Sequence, residues 1–254
     1  MNQAASESTT QVVHGALYVV STPIGNLSDF TFRAVEILSA VDIIAAEDTR
    51  TTRVLLDRYH ISTPAVSYFA RSEKSRSPEL IKQLKEGKSI ALVSDAGTPT
   101  ISDPGAVLVR AAIEAGCPVI PIPGPAAFTA ALAVSGLQTD RFVFEGFLPV
   151  KKGRRTKLVQ LAAEPRTIVL YESSHRLLRT LRETLDAFGN RHAAVSREIT
   201  KKFEETVRGN LSDLLVHFET RRVRGEFVIV IEGAARARKY RAGSAGSGEE
   251  DKSE

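Results

Sequence analysis

Short, nearly all-apolar runs recur along the first half of the chain. Each is followed by a longer stretch in which apolar residues return every three or four positions. The runs are ALYVVS (16–21), VDIIAA (41–46), AVSY (65–68), SIALVS (89–94) and PVIPI (118–122). The stretches near 31–39, 51–59, 78–86 and 105–115 read as amphipathic helices, and an alanine-rich helix follows at 126–134. Strands without polar alternation are buried on both faces, so the pattern predicts a mostly parallel sheet with helices on both sides.

The pattern changes after Gly136-Leu137. RFVFEGF (141–147), TIVLYE (167–172), HAAVSRE (192–198) and EFVIVIE (226–232) read as strands, with basic helical segments near 151–163 and 176–188. The fold class expected is therefore α/β in two domains, the second built on a mixed sheet. The expected divisions are a disordered segment 1–14, an N-terminal domain 15–138, a basic C-terminal domain 139–233, and a disordered tail 234–254, basic and then acidic. No internal repeat is visible.

Composition narrows the class of protein. Of 254 residues, 43% are hydrophobic and 25% charged, an ordinary balance for a globular chain. A single cysteine excludes a disulfide framework and multi-cysteine metal sites. The longest charge-free stretch, 115–139, is broken by Pro118, Pro121, Pro123 and Pro125, so no membrane span is expected. MNQAASESTT has no charged head or apolar middle, which leaves a cytoplasmic protein as the expectation. The net charge of +4 is unevenly shared: residues 11–140 carry −2 and residues 141–242 carry +10. A polyanionic partner for the second half would account for that split, as would a solvated basic face.

Familiar catalytic motifs are missing. Gly87-Lys88-Ser89 lacks the first glycine of a P-loop, because position 82 is lysine, and it precedes a strand. The first strand ends in TPIGNL (22–27), with one glycine, which fails the dinucleotide fingerprint. The five histidines show no metal-ligand spacing, and there is no G-x-S-x-G elbow. What stands out is position. TPIGNL, EDTR (47–50), SDAGTP (94–99) and PIPGPAA (121–127) all follow expected strands, and ligands of open parallel sheets bind beyond the carboxyl ends of the strands. Gly25, Gly97 and Gly124 allow close backbone approach, prolines stiffen the loops, and Asn26, Asp95 and Thr98 offer polar contacts.

LYVVSTPIGNLSD (17–29), IIAAEDTRTTR (43–53), ALVSDAGTPTISDPG (91–105), VIPIPGPAA (119–127), SGLQTDRFVFEGFLP (135–149), YESSHRL (171–177), SREITKKFEETVRG (196–209) and GEFVIVIEG (225–233) follow in that order. Together they resemble the bacterial ribosomal RNA small subunit methyltransferase I family, within the tetrapyrrole-methylase-like enzymes. The resemblance covers about 17–233. The chain departs from the family pattern at 67–76, where Phe69, Arg71 and Ser72 replace a His/Asn-containing stretch. It departs again at Ser174, where proline is common.

The resemblance implies S-adenosylmethionine-dependent 2′-O-methylation of a cytidine in the decoding region of 16S ribosomal RNA. It also implies a cofactor cleft between two α/β domains, a homodimer, and neither metal nor membrane. Pro23, Gly25, Asn26, Asp95, Gly97, Thr98, Pro123, Gly124, Pro125 and Ala126 become the expected cofactor-binding residues, Asp95 facing the cationic amino group. The 2′-hydroxyl must lose its proton as the methyl arrives, and Glu47, Asp48, Glu172 and Glu204 are candidate acceptors. Lys201 or Arg50 is the candidate to stabilise the developing oxyanion. Lys151, Lys152, Arg154 and Arg155, in a stretch without acids, are the expected phosphate contacts. Phe142 and Phe144 alternate as core residues do, while Phe147 is free to stack on a base. Two other readings remain open: a tetrapyrrole methyltransferase of the same fold, and a non-catalytic RNA-binding ribosome-assembly factor. The TPIGNL form of the first loop favours RNA over a tetrapyrrole, and cofactor binding separates enzyme from assembly factor.

Overall fold

A computed structural model describes residues 12–234. The chain divides into two compact units between Ala126 and Ala127. In the first, β1 (Leu17–Val20), β2 (Ile43–Ala46), β3 (Ala65–Ser67), β4 (Ile90–Val93) and β5 (Val119–Ile122) form one sheet in the order β3-β2-β4-β1-β5, every pair parallel. The helices between them are α1 (Phe32–Ala40), α2 (Thr49–Arg58), α3 (Glu73–Lys85) and α4 (Ala106–Glu114). Their starts are set by side chains: Thr31 Oγ1 accepts from Ala34 N (3.2 Å) and Asp48 Oδ1 from Arg50 N (2.8 Å). α3 begins a turn ahead of Pro78, which lies inside it.

Alternation along β1 sorts the core onto two faces. Tyr18 and Val20 pack with Ile37 and Leu38 of α1 and Leu55 and Leu56 of α2. Leu17 packs with Leu80 and Leu84 of α3 and Leu108 and Ala112 of α4. The crossovers explain this. From β1 the chain moves toward the β3 edge over one face, and from β4 it moves toward β5 over the other, as right-handed connections require. β1 and β4 are neighbours, so the two loops leaving them diverge. That divergence is the switch point at which an open α/β sheet leaves a crevice.

The second unit begins with α5 (Ala127–Val134), followed by β6 (Phe142–Phe147), α6 (Arg154–Ala162), β7 (Thr167–Ser173), α7 (Leu177–Phe188), β8 (His192–Arg197), β9 (Glu205–Asn210), α8 (Leu211–Glu219) and β10 (Glu226–Ile231). The sheet order is β6-β7-β10-β8-β9, with β6 and β7 parallel and the rest antiparallel. One face carries α6, α7 and α8 through Leu158, Leu181 and Leu214. The other carries α5 through Ala131 and Leu132, together with Phe142, Phe144 and Tyr171. The pairing of β6 with β7 slips by one residue between Phe144 and Gly146, a bulge at Glu145.

Three differences from the sequence expectations follow. The boundary falls ahead of 138/139 because α5 packs on the second sheet. β9 and α8 were not anticipated. Val12 packs against the first core and Val13 N donates to Tyr18 Oη (2.7 Å), so residues 12–14 are part of the fold. Residues 1–11, the Arg236–Arg241 stretch and the acidic tail lie outside the described residues. No helix among the described residues is long and apolar enough to cross a membrane.

Candidate functional site

The four strand-end loops of the first unit are tied into one lattice. Thr22 N donates to Gly97 O (2.8 Å) and Gly97 N to Thr22 O (3.0 Å), which pins the loop after β1 to the loop after β4. Gly97 sits at φ +84°, a conformation that favours glycine. The Ser21 and Thr98 hydroxyls are 2.9 Å apart, and Thr98 Oγ1 donates to Pro125 O (3.2 Å), which brings in the loop after β5. Gly124 lies so close to Ser21 that an added Cβ would stand 2.9 Å from the Ser21 Cβ. Asp48 N donates to Asp95 Oδ1 (3.1 Å) and Asp95 N to Glu47 Oε2 (3.3 Å), a reciprocal bond that joins the loop after β2.

Beside this lattice lies a cleft of about 540 Å³, lined by Thr22, Pro23, Asp48, Arg50, Thr52 and Asp95 among others. Two carboxylates, Asp48 and Asp95, line it, and Glu47 and Asp103 interact with Asp95 beside it. Burial, with the nearby charges of Asp95 and Asp48, raises Glu47 above its ordinary value. Partial burial likewise raises Asp95. Asp103, just before α4, is raised to about 6, first by burial and then by the charges of Glu47 and Asp95. Asp48 is the exception. The Arg50 guanidinium grips both its oxygens (3.0 and 2.6 Å) and holds it at about 2. The Arg50 side chain is itself 90% exposed, so its remaining donors face solvent. Thr52 is buried, yet its Oγ1 has no hydrogen-bond partner among the described residues.

Several expected site residues therefore gather at one place. Pro23 and Asp95 line the cleft, and Gly97, Thr98, Gly124 and Pro125 build its support. Gly25 is exposed, and the Asn26 side chain accepts from Ser28 N (3.0 Å), capping a short 3-10 turn. Pro123 is exposed and Ala126 half-buried at the end of the β5 loop. Asp48 and Arg50 belong to the same cleft.

Glu172, Lys201 and Glu204 lie in the second unit. Glu172 corrects the expectation of a proton acceptor. It is buried, with its oxygens taken by Thr180 Oγ1 (2.6 Å), Ser173 N (2.9 Å) and the Arg176 guanidinium (3.2 Å). Glu204 accepts from Thr200 N (2.6 Å), bracing the turn between β8 and β9. Lys201 pairs with Glu226 (2.8 Å) and Glu198 (3.1 Å). Against the cost of partial burial, these carboxylates hold its ammonium above the ordinary value.

Lys151, Lys152 and Arg155 are exposed, as phosphate contacts must be. Arg154 is not. It is 3% exposed, bonded to Glu183 (2.5 Å), Thr180 Oγ1 (2.7 Å) and Pro149 O (3.1 Å), which corrects its expected role. Phe142 and Phe144 pack around Phe128, while Phe147 is exposed and touches Tyr171 edge-on. Thr52 and Asp103 are not among the site residues expected from the sequence. SDPG follows SDAGTP closely enough that a second acid at the same strand end was there to be noticed. No group of residues able to hold a metal ion occurs among the described residues.

A profile of the tetrapyrrole (corrin/porphyrin) methylases matches residues 16–215. The ribosomal RNA small subunit methyltransferase I of Synechocystis is 54% identical over 87% of this chain and 80% of its own length. That of Thermotoga maritima is 49% identical over 86% and 99%. Among solved structures, cobalt precorrin-4 methyltransferase has a TM-score of 0.64 at 21% identity, covering 86% of this chain and 95% of that one. Uroporphyrin-III C-methyltransferase of Thermus thermophilus, complexed with S-adenyl homocysteine, has a TM-score of 0.61 at 19% identity, covering 87% and 99%. At those identities the structures speak for the fold alone. The strand-end lattice, the profile and the sequence relatives agree, and the chain belongs to the ribosomal RNA small subunit methyltransferase I family of S-adenosylmethionine-dependent methyltransferases.

Proposed function

We propose that this chain methylates the 2′-hydroxyl of a cytidine in small-subunit ribosomal RNA and that S-adenosylmethionine binds at the first unit's strand-end lattice. The observation that carries the reading is the meeting of four loops at the switch point beside an acid-rich cleft. The residues fit the cofactor's chemistry. S-adenosylmethionine bears a sulfonium and an ammonium against one carboxylate, so it is a net cation, and Glu47, Asp95 and Asp103 are carboxylates short of one. Thr52, at the cleft wall, carries a buried hydroxyl with no hydrogen-bond partner among the described residues. The bound cofactor supplies a methyl group already activated for displacement.

The chain's own part is positioning and charge control. Asp95 holds the cofactor's ammonium, and the hydrogen bond its backbone N–H donates to Glu47 fixes its height above the sheet. Arg50, oriented by its two-point grip on Asp48, presents its free donors to the anionic substrate. Asp48, held at about 2, is a poor proton acceptor, whereas Glu47, raised by burial, is a better one for the 2′-hydroxyl proton. The same reading takes the working enzyme to be a homodimer, which sedimentation measures directly. The central test is mapping 2′-O-methyl groups in 16S ribosomal RNA from cells with and without this protein, with restoration by the purified enzyme and S-adenosylmethionine. Loss and recovery of one cytidine methyl group is the expected result. An unchanged methylation map overturns the assignment.

A further inference from the structure

The segment between β6 and α6 carries the exposed Lys151 and Lys152, and four successive carbonyls in it are taken by arginines. Leu148 O accepts from Arg176 Nη2 (2.5 Å), Pro149 O from Arg154 Nη1 (3.1 Å) and Val150 O from Arg179 Nη1 (3.4 Å). Lys151 O accepts from the Arg154 backbone N (3.3 Å). The three guanidinium groups are themselves linked. Glu183 bonds both Arg154 (2.5 Å) and Arg179 (2.8 Å). Thr180 Oγ1 accepts from Arg154 (2.7 Å) and donates to Glu172 (2.6 Å), and Glu172 pairs with Arg176 (3.2 Å). Arg154 and Glu172, the charges at the middle of this chain, are both buried.

Such an arrangement has a chemical consequence. A free carbonyl oxygen repels phosphate, and here all four are turned onto donors. The cations that remain outward are Lys151, Lys152 and Arg155. No acid occurs between Gly146 and Ala163, and the flanking Glu145 is neutralised by Lys157 (2.8 Å). Residue 153 completes the turn as a glycine at φ +81°, with nothing within 4 Å of where a Cβ would be, so backbone conformation alone calls for glycine there.

We propose that residues 148–155 form a pre-stiffened platform for the phosphates of the RNA substrate. Lys151, Lys152 and Arg155 make the contacts, and buried Arg154 is a positioning residue that touches no RNA. The inference rests on the RNA-methyltransferase reading above and adds to it where the strand is held. Rigidity matters because a lysine on a loose loop must be ordered at the moment of binding, which costs affinity without changing the number of phosphates neutralised. Charge removal and loop loosening therefore leave different signatures.

The experiment is binding of deproteinised small-subunit ribosomal RNA across a salt series, with S-adenosylmethionine affinity measured on the same preparations. Replacing Lys151, Lys152 and Arg155 together by alanine should lower RNA affinity about 10- to 100-fold at physiological salt. It should also flatten the log–log salt slope by roughly 2. Arg154→Lys, and separately the charge-neutral Pro149→Gly, should lower affinity several-fold at an unchanged slope. Cofactor affinity should stay at the parental value in all three. A triple variant with parental affinity and slope overturns the platform. If both loosening variants bind RNA like the parent, Arg154 positions nothing. Pro149→Gly keeps that arm decisive even if Arg154→Lys fails to fold. A parent that binds S-adenosylmethionine but never methylates this RNA instead refutes the underlying functional reading.

Discussion

Asp103 offers the sharpest quantitative test of the acid cluster beside the cleft. Its carboxyl is raised from the ordinary 3.8 to about 6 by burial and by the charges of Glu47 and Asp95, while the Ser94 hydroxyl partly offsets this by donating to it. A carboxyl that is harder to ionise when folded destabilises the folded state once it is charged. The interval between 3.8 and about 6 corresponds to ~3 kcal/mol of such cost. Asp103 is only half-buried, so solvent screens part of it, and ~1–2 kcal/mol is the figure we expect to recover by neutralising the group. Asp103→Asn keeps an oxygen for Ser94 and removes the charge. Below pH 3.8 the parent is protonated in both states and bears no cost. Between about pH 4 and 6 the parent's folded state holds the proton that its unfolded state loses, so its stability falls as pH rises. Above 6 the full cost is present. The variant should therefore match the parent at pH 4 and exceed it at pH 7.5, by roughly 2–8 °C in Tm or the equivalent shift in urea midpoint. Equal gaps at the two pH values, or a variant less stable at pH 7.5, would refute the account of the acid cluster.

Asp95→Ala should weaken S-adenosylmethionine binding at least tenfold by calorimetry, since it removes the expected ammonium partner and the acceptor of the Asp48 amide. Gly124→Ala places a Cβ 2.9 Å from the Ser21 Cβ and should cost about 1–3 kcal/mol in urea melts, with cofactor affinity falling as the loops part. Glu172→Gln leaves Arg176 without its countercharge and should cost ~2–4 kcal/mol, while Glu204→Gln, at an exposed turn, should change stability little.

Much of the first unit was legible because its chemistry is local. Runs such as IALV and IIAA admit little besides buried parallel strands, and the loops that follow them carry their own glycines and prolines. The second unit was harder to read. β9, ETVRGN, is a polar edge strand whose only strand partner among the described residues is β8, and nothing in its composition separates it from a loop. α8 follows it directly, with Asn210 and Asp213 forming a capping box, yet a nine-residue helix behind an unread strand gave no clear start. Arg154 and Arg155 are adjacent and chemically identical. Only the position of Thr180 and Glu183, contributed by α7 much later in the chain, decides that one is interior and the other faces water. Asp103 lies close to Asp95 in sequence, but its character comes first from burial and then from the charges of Glu47 and Asp95, and burial is decided by the fold.

The bulge in β6 governs more than its own strand. Phe144 pairs with Val169, the next pairing joins Gly146 to Leu170, and Phe147 then stands opposite Tyr171. One surplus residue, Glu145, thus shifts the odd–even phase of everything downstream. It lets Phe147 look out on the Tyr171 side while Leu148 enters the core under α6 and α7. Were the ladder to run through Glu145 without the bulge, Leu148 would be sent to the Tyr171 side and Phe147 inward, and Leu148 is also where the arginine clamp takes its first carbonyl. The surplus residue must therefore stay outside the ladder for the platform that begins three residues later to be aimed correctly. Deleting residue 145 would leave every downstream pair in place, whereas drawing it into the ladder would turn each following side chain to the opposite face: at β6 the constraint is on which residue is left out of the count.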